Sequence, residues 1–306
     1  HYFKKVKKGR PKKYFSLTYS YRGKGNTPIR VQKRIGTEIP NQSKLANLQD
    51  QFDYDVFKKV WATEIEKIQK KHIKHIKKYP NGLKQKELRQ FGVLFTHNSS
   101  KIEGSTLNYR DTQMLLEEGI TPGGKPIEDV IETNLHMKTY ELMTRSKSKS
   151  LNLTLIKEWH KKQFYRTKSG MAGIFRGKDH QFNVRIGNSK HKPPKWKNVS
   201  TELKKLNLWY VQNKTKKHPI YLSAKYHCWF IEIHPFSDGN GRTGRLLMNF
   251  ILHKNNYPMF DINPNQKRQN FNVLERSMVN NNYLYFISWF CRNYIKYTKK
   301  YLSFFD

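Results

Sequence analysis

The spacing of apolar residues changes along the chain, and each change predicts a different kind of element. Apolar and polar residues first alternate in FSLTYSY, residues 15–21, with Phe15, Leu17, Tyr19 and Tyr21 on one side and serines and a threonine on the other. Alternation resumes at Ile29 after a glycine-rich loop. A period of two is typical of strands with one buried face, so we predict a β-hairpin over residues 14–35.

Beyond residue 43 the apolar residues recur three to five positions apart, which is typical of amphipathic helices. Pro80 and Gly82 interrupt this pattern, and Thr154 is positioned to cap a later helix. The predicted helical segments are 43–78, 83–102, 108–118, 127–144, 154–164, 196–211, 219–233, 242–254, 269–278 and 283–301. The fold class is therefore mainly α with a small N-terminal β-hairpin region.

Residues 170–195 fit neither pattern. They are rich in glycine, contain short β-prone pieces and end in Pro193 and Pro194. Such a stretch predicts a small exposed hairpin or flap that interrupts the helical body.

Composition adds a strong positive charge, with 59 Lys and Arg against 23 Asp and Glu and a formal net charge of +36. The lysines are spread along the chain, although residues 4–13, KKVKKGRPKK, form a basic arm that could lie in a DNA minor groove. The two cysteines, Cys228 and Cys291, form no disulfide or zinc pattern, so we expect a cytoplasmic protein. No apolar run is long enough for a membrane span.

The chemistry concentrates in HPFSDGNGRTGR, residues 234–245, directly before an apolar helix. Glycines at a helix N-terminus let backbone N–H groups approach an anion, and Arg242 and Arg245 lie one turn apart on one face. Asp238 offers an oxygen ligand suited to Mg²⁺, and His234 can take a proton from a hydroxyl. This combination predicts a site for phosphoryl or nucleotidyl transfer.

The same string resembles the HxFx[DE]GNGRxxR signature of the Fic (Fido) family, with every fixed position filled. The stretches AKYHCWFIEIHPF, LTLIKEWHKKQF and GIFRG followed by VRIGNSKHKPP resemble the flanking helices and flap of that family. The resemblance implies a Fic/Fido helical core with a β-hairpin flap that clamps a target protein by strand addition. We therefore expect residues 1–42 to hold the basic arm and hairpin, 43–104 an N-terminal helical region, and 105–306 the Fic core with its flap at about 170–195.

The family resemblance implies AMP transfer from ATP to a Ser, Thr or Tyr hydroxyl of a protein, with release of pyrophosphate. His234 would be the catalytic base and Asp238 the Mg²⁺ ligand. The residues that the resemblance assigns to the nucleotide are Val184, Arg185, Ile186, Gly187, Asp238, Gly239, Asn240, Gly241, Arg242, Thr243, Gly244, Arg245, Asn270 and Phe271. Asn270 and Phe271 depart from a tyrosine pair frequent in the family, which leaves the preferred base open.

A second short motif, SSKIEG, places Ser99 and Glu103 four residues apart on one helix face. It resembles the inhibitory [ST]xxxE[GN] motif of the family, in the subclass whose inhibitory helix precedes the core. The implied role of Glu103 is to pair with Arg245 and to prevent productive placement of the γ-phosphate.

Three alternatives stay open at this stage. The same site could remove AMP from a modified protein, or it could donate UMP or another nucleotide. From a different class, the chain could be a basic nucleic-acid-binding protein that uses its lysine-rich surfaces. Self-modification and a homodimer are compatible with the sequence, and the protein target is not identified by it.

Overall fold

Helices dominate the computed structural model, which describes residues 14–22, 26–178, 180–187 and 189–303. The chain divides into two compact units, one ending at Glu66 and the other beginning at Lys67. The basic arm at residues 4–13 lies outside the described residues. Within the described residues, no helix has both the length and the apolar content that a membrane span requires.

The first unit contains the predicted hairpin. Strands β1 (Phe15–Arg22) and β2 (Pro28–Gly36) pair antiparallel, with an irregularity between Phe15 and Ser16. Helix α1 (Gln42–Phe57) begins after Asn41, whose side chain accepts the backbone N–H of Lys44, and a π-helical turn follows at Lys58–Ala62. The buried apolar side chains of this unit are Leu17, Phe52, Val56, Phe57, Trp61 and Ile65.

The second unit is built from the remaining helices. Helix α2 (Thr63–Lys78) leads into it from the first unit, and a π-helical turn at Met114–Glu118 extends α4. The other helices are α3 (Asn81–Glu103), α4 (Tyr109–Gln113), α5 (Ile127–Arg145), α6 (Leu153–Phe164), α7 (Trp196–Asn213), α8 (Pro219–Ile233), α9 (Asn240–Lys254), α10 (Lys267–Val279) and α11 (Leu284–Leu302). These bounds agree with the predicted helical segments to within a few residues.

Helices α8 and α9 pack against each other at the centre of this unit, and most of their residues are buried. Gly244 permits the close approach, because a Cβ at this position would lie 3.0 Å from Ile231 Cδ1 and 3.2 Å from His227 Nδ1. The apolar run after the polar motif is therefore the buried part of α9. The motif itself forms the connection between the two central helices.

Two local predictions were wrong. Helix α6 is capped by Asn152, which has an extended backbone and whose Oδ1 accepts the Leu155 N–H at 2.8 Å, so Thr154 already lies within the first turn. The described part of residues 170–195 contains no strand. Its local backbone hydrogen bonds include those from Gly177 N to His180 O and from Ser189 N to Ile186 O, and prolines close its end. A strand needs a paired neighbour, and this segment has none among the described residues.

Candidate active site

The loop between α8 and α9 is closed by its own side chains. His234 ends α8 in the left-handed region (φ 50°), and its N–H donates to Phe230 O at 3.0 Å. Asn240 accepts the N–H of Phe236 and donates to the carbonyl of Phe236, both at 2.9 Å. Gly239 has a φ of 74°, and a Cβ there would collide with the Phe164 ring. The side chain of Asn240 therefore shapes the loop rather than facing a ligand.

His160 of α6 supports this loop from beneath. Its ring stacks on Phe236 with centroids 3.6 Å apart. Its Nδ1 accepts the Gly173 N–H at 2.9 Å, so Nε2 carries the proton and donates to the Asp238 carbonyl at 2.9 Å. Burial lowers the pKa of His160 to about 4, which keeps the ring neutral in this role. His160 thus fixes the backbone that presents Asp238.

Arg176 is a residue that the sequence analysis missed. Its side chain is 1% exposed and donates to three backbone carbonyls: Nε to His234 at 2.9 Å, Nη2 to Ile233 at 3.0 Å and Nη1 to Pro194 at 3.1 Å. It ties the end of α8 to the segment that precedes α7. The stretch GIFRG contained this arginine, but no local pattern distinguishes a buried guanidinium from an exposed one.

The imidazole of His234 is neutral in this environment. Burial lowers its pKa to about 4, and the nearby charge of Arg176 acts in the same direction. A neutral imidazole has a free lone pair, so it can accept a proton from an approaching hydroxyl at neutral pH. The structure therefore gives His234 the protonation state that a general base requires.

A carboxylate occupies the N-terminal end of α9. Arg245 is buried and donates through Nη2 to Glu103 Oε1 at 2.6 Å. It also donates through Nε to Ser99 Oγ at 2.9 Å and through Nη2 to Ser99 O at 3.0 Å. A Cβ on Gly241 would collide with the same Glu103 carboxylate. Glu103 therefore lies where the helix N-terminus would otherwise receive an external anion.

A second set of ion pairs joins the other charged residues of the motif. Arg242 donates to Glu132 Oε2 from α5, and Lys168 Nζ lies 2.8 Å from both Glu132 Oε1 and Asp238 Oδ2. Burial alone would raise the pKa of Asp238, but Lys168 and the Gly239 N–H outweigh it and hold that pKa below its ordinary value. Asp238 is thus ionised, with Lys168 as its cation. Neither Glu132 nor Lys168 was identified from the sequence, because both lie far from the motif along the chain.

These groups surround a polar cavity of about 220 Å³. Its carboxylates outnumber its cations, Lys168 and Arg242. The lining residues are Ser100, Glu103, Gly104, Ser105, Glu128, Asp129, Glu132, Thr133, Lys168, Asp238 and Arg242. An anionic substrate entering such a cavity requires additional positive charge.

A metal ion held by a single carboxylate of the protein would supply such charge. The described residues contain no group of three or more His, Cys, Asp or Glu side chains arranged to hold a metal ion. Mg²⁺, however, is usually bound through one or two carboxylates together with substrate phosphates. The ionised Asp238 side chain, 52% exposed at this cavity, fits that mode of binding.

The remaining residues of the predicted nucleotide site have different surroundings. Thr243 is fully buried, and its hydroxyl accepts from Gln163 Nε2 at 3.3 Å. Val184 and Ile186 are half-buried, Arg185 and Gly187 are exposed, and Gly187 has a φ of 42°.

Helix α10 contacts the 170–195 segment through the carboxylate of Glu275. Glu275 Oε1 accepts the Ser189 hydroxyl at 3.0 Å. The same helix carries Asn270, which is buried, and Phe271, which is 43% exposed. The flap segment is therefore anchored to the helix that bears the two residues assigned to the base.

Comparison with known proteins gives one family. Residues 150–252 match the Fic/DOC family. The matched range begins just before α6, includes the segment at 170–195 and ends within α9, so it contains the complete HPFSDGNGRTGR motif. Glu103 and Glu132 lie outside it.

Curated relatives share about 30% identity with the chain. A protein adenylyltransferase Fic from Nematostella vectensis is 30% identical over 166 residues, which cover 53% of this chain and 38% of the relative. One from Drosophila virilis is 31% identical over 181 residues, covering 57% of this chain and 35% of the relative. One from Culex quinquefasciatus is 28% identical over 198 residues, covering 63% and 38%. The chain therefore spans less than two-fifths of the length of these relatives.

Solved structures extend the likeness to most of the fold. A Fic domain-containing signalling protein from Bacteroides thetaiotaomicron superimposes with a TM-score of 0.69 at 25% identity, covering 78% of this chain and 95% of that one. Fic-1 from C. elegans superimposes with a TM-score of 0.70 at 19% identity, covering 86% and 78%. At that identity the second comparison concerns the fold alone.

Proposed function

We propose that the chain, whose residues 150–252 match the Fic/DOC family, is a protein adenylyltransferase held in an inhibited state by Glu103. In the proposed reaction, AMP passes from ATP to a Ser, Thr or Tyr hydroxyl of a protein. The observation that carries this proposal is the contact between Glu103, Arg245 and Gly241 at the N-terminus of α9.

The proposed step is a displacement at the α-phosphorus of ATP. The hydroxyl oxygen of the target forms a bond to this phosphorus while the bond to the bridging oxygen of the leaving pyrophosphate breaks. The proton of the hydroxyl passes to the neutral imidazole of His234, whose backbone carbonyl Arg176 holds. Backbone N–H groups at the start of α9 and the guanidinium of Arg242 would bind phosphate oxygens.

Asp238 would hold Mg²⁺ together with the phosphates. The metal would supply positive charge in a cavity whose carboxylates outnumber its cations. Lys168 contacts Oδ2 of this carboxylate and the Gly239 N–H contacts Oδ1, so a metal ion held there would compete with the lysine for Asp238. Lys168 also has Glu132 as a partner.

Inhibition follows from competition for Arg245. A charge-assisted pair between a carboxylate and a guanidinium contributes about 1.5–3 kcal/mol, and Ser99 adds two further hydrogen bonds to the same arginine. A phosphate group at this end of α9 would have to displace the Glu103 carboxylate. Removing that carboxylate should therefore favour the reactive placement of ATP.

The test is AMP incorporation by Glu103→Gly, measured with ATP labelled at the α- or the γ-phosphate and with cell lysate as a source of targets. We expect incorporation of α-label to rise about ten- to a hundredfold over the unmodified protein, because about 1.4 kcal/mol corresponds to a factor of ten. Lys101→Gly is the matched control: it weakens the same last turn of α3 but retains the carboxylate, so it should not activate.

Three outcomes separate the parts of the proposal. Glu103→Gly combined with Arg245→Ala should lose the gain, because the phosphate then has no guanidinium to bind. Incorporation of the γ-label would contradict AMP transfer, and preferential use of labelled UTP would change the donated group. Equal activity of Glu103→Gly and the unmodified protein would contradict the inhibitory role, and release of AMP from modified protein would reverse the direction of the reaction.

A further inference from the structure

A second cavity, of about 260 Å³, lies between the N-terminal half of α3 and the C-terminal end of α9. It belongs entirely to the second unit of the chain. From Leu88, in its wall, to Glu103 is 15 residues of α3, or about 22 Å at the helical rise of 1.5 Å per residue. The cavity is therefore separate from the candidate active site, and nothing in the proposed function uses it.

Basic side chains from three elements line this cavity. His72 comes from α2, His253 from the last turn of α9, and Lys147 from the segment after α5. Lys147 Nζ donates to Asn256 Oδ1 at 2.5 Å, and the His253 Nε2 lies 3.3 Å from Thr144 O. Among the described lining residues the one carboxylate is Glu87, which lies 2.9 Å from His75 Nε2. Burial keeps the imidazoles of His72 and His253 neutral, so Lys147 is the charged member of this cluster, and no carboxylate of the described residues pairs with it.

The surroundings of His72 keep its imidazole neutral and leave one of its nitrogens without a partner. Burial lowers its pKa to about 4, and His75, His253 and Lys147 all act in the same direction. Its Nδ1 is buried and has no hydrogen-bond partner among the described residues. A buried polar atom without a partner destabilises the folded protein unless a ligand or water supplies one.

The rest of the wall is apolar and largely aromatic. The rings of Phe91, Tyr257, Tyr297 and Tyr301 line the cavity together with Ile76, Leu88, Pro258 and Met259. Such surfaces favour a flat apolar group, which packs against ring faces and edges. Inorganic phosphate would leave these apolar walls uncovered, whereas an apolar hydrocarbon would leave the ammonium of Lys147 without a counter-charge.

We propose that this cavity binds a small aromatic anion, a flat ring that carries one phosphate or carboxylate group. The anionic group lies among Lys147, His72 and His253, and the ring lies against Phe91 and the tyrosines. Lys147 supplies the positive charge at neutral pH. The neutral imidazole of His72 supplies an N–H through its buried Nδ1, which thereby gains a partner, whereas the one N–H of neutral His253 already donates to Thr144 O.

The experiment is histidine NMR on the full chain with ¹³C-labelled imidazole Cε1, titrated with phenyl phosphate and, separately, with benzoate. We expect saturable shifts of the His72 and His253 signals, assigned from His72→Gln and His253→Gln, while the signals of His160 and His234 stay in place. Phenol and inorganic phosphate, each carrying half of the chemistry, should bind at least about tenfold more weakly. The stronger of the two acids identifies the anionic group.

Lys147→Met tests the charge, since it retains most of the apolar stem while it removes the ammonium. It should weaken binding of the stronger acid at least about tenfold. Lys149→Met, an exposed lysine on the same segment, is the matched control and should bind like the unmodified protein. A thermal unfolding curve shows whether each variant is folded.

Two results would overturn the proposal. The first is the absence of a saturable shift of His72 or His253 with either acid at millimolar concentration. The second is a shift that persists unchanged in folded Lys147→Met, or that inorganic phosphate reproduces with equal affinity. Either result would show that the cavity does not select a ring bearing an acidic group.

Discussion

The two ends of the antiparallel pair formed by α3 and α9 differ in how their charges are balanced. At the N-terminal end of α9, Arg245 is paired with Glu103, Arg242 with Glu132, and Lys168 with both Glu132 and Asp238. At the C-terminal end, His72, Lys147 and His253 face one another, and Glu87 pairs with His75 instead. The two ends thus differ: at one, the cations are paired with carboxylates, whereas at the other Lys147 has no carboxylate partner among the described residues.

This difference bears on how each site responds to a ligand. At the N-terminal end of α9 a phosphate must displace a carboxylate of the protein, so binding is opposed by about the free energy of the ion pair that it breaks. At the other end an anion meets the ammonium of Lys147, which no carboxylate of the described residues pairs with, since Glu87 contacts His75. A site of the first kind can be regulated by releasing the carboxylate, whereas the affinity of the second depends directly on the charge of the cluster.

The largest effect is expected from His234→Ala, introduced with Glu103→Gly so that activity is measurable. Loss of a general base lowers the rate by roughly 10²–10⁴-fold, so AMP incorporation should fall to near background. Binding of ATP, measured by calorimetry, should persist because the backbone N–H groups of α9 remain. Activity equal to that of Glu103→Gly alone would contradict the assignment of the base.

A smaller effect, about 10²-fold, is expected for Asp238→Ala in the same background. The variant removes the one motif carboxylate that faces the polar cavity, so raising the Mg²⁺ concentration should restore activity only in part. The measurement is the Mg²⁺ dependence of α-label incorporation. Incorporation that continues unchanged in the presence of a chelator would exclude a metal role for Asp238.

Arg176→Lys tests whether the loop that carries the base depends on its clamp. Lysine keeps the charge but cannot donate to three diverging carbonyls, so one or two of them lose their hydrogen bond. We expect the free energy of unfolding to fall by about 1–3 kcal/mol in urea denaturation. Arg166→Lys, the same exchange at an exposed arginine, is the control and should leave stability unchanged.

The comparison of the two ends also shows what the sequence could predict. The helices, the N-terminal hairpin and the motif were predictable because each depends on local spacing, and the contact between Glu103 and Arg245 was anticipated through a family resemblance. Lys168, Glu132 and Arg176 act through partners 18 to 110 positions away, so no local pattern predicts them.

The cavity lined by His72, Lys147 and His253 could not be predicted from the sequence for the same reason. His72, Lys147 and His253 come from three separate elements, and each is unremarkable in a chain with 59 basic residues and 12 histidines. The prediction of a hairpin at residues 170–195 was wrong for a different reason: the composition is β-prone, but a strand requires a paired neighbour, and the described residues provide none.

The histidines at the C-terminal end of α9 also make stability depend on pH. Burial is the largest cause that lowers the pKa of His72 and His253 to about 4, against 6.5 in the unfolded chain. Between these values the unfolded state binds more protons than the folded state, so the free energy of unfolding falls as the pH falls from 6.5 towards 4. Each histidine contributes a slope of up to about 1.4 kcal/mol per pH unit.

The measurement is urea denaturation at pH 7, 6 and 5 for the unmodified protein and for His72→Gln with His253→Gln. We expect the double variant to lose less stability on acidification, because two groups that take up protons on unfolding are absent. Asp261 and Glu232, whose pKa values burial raises to about 7, act in the opposite sense but are common to both proteins. The difference between the two curves therefore reports the cluster. Identical slopes would mean that His72 and His253 titrate alike in the folded and unfolded states, which would contradict the burial of their imidazoles as neutral groups.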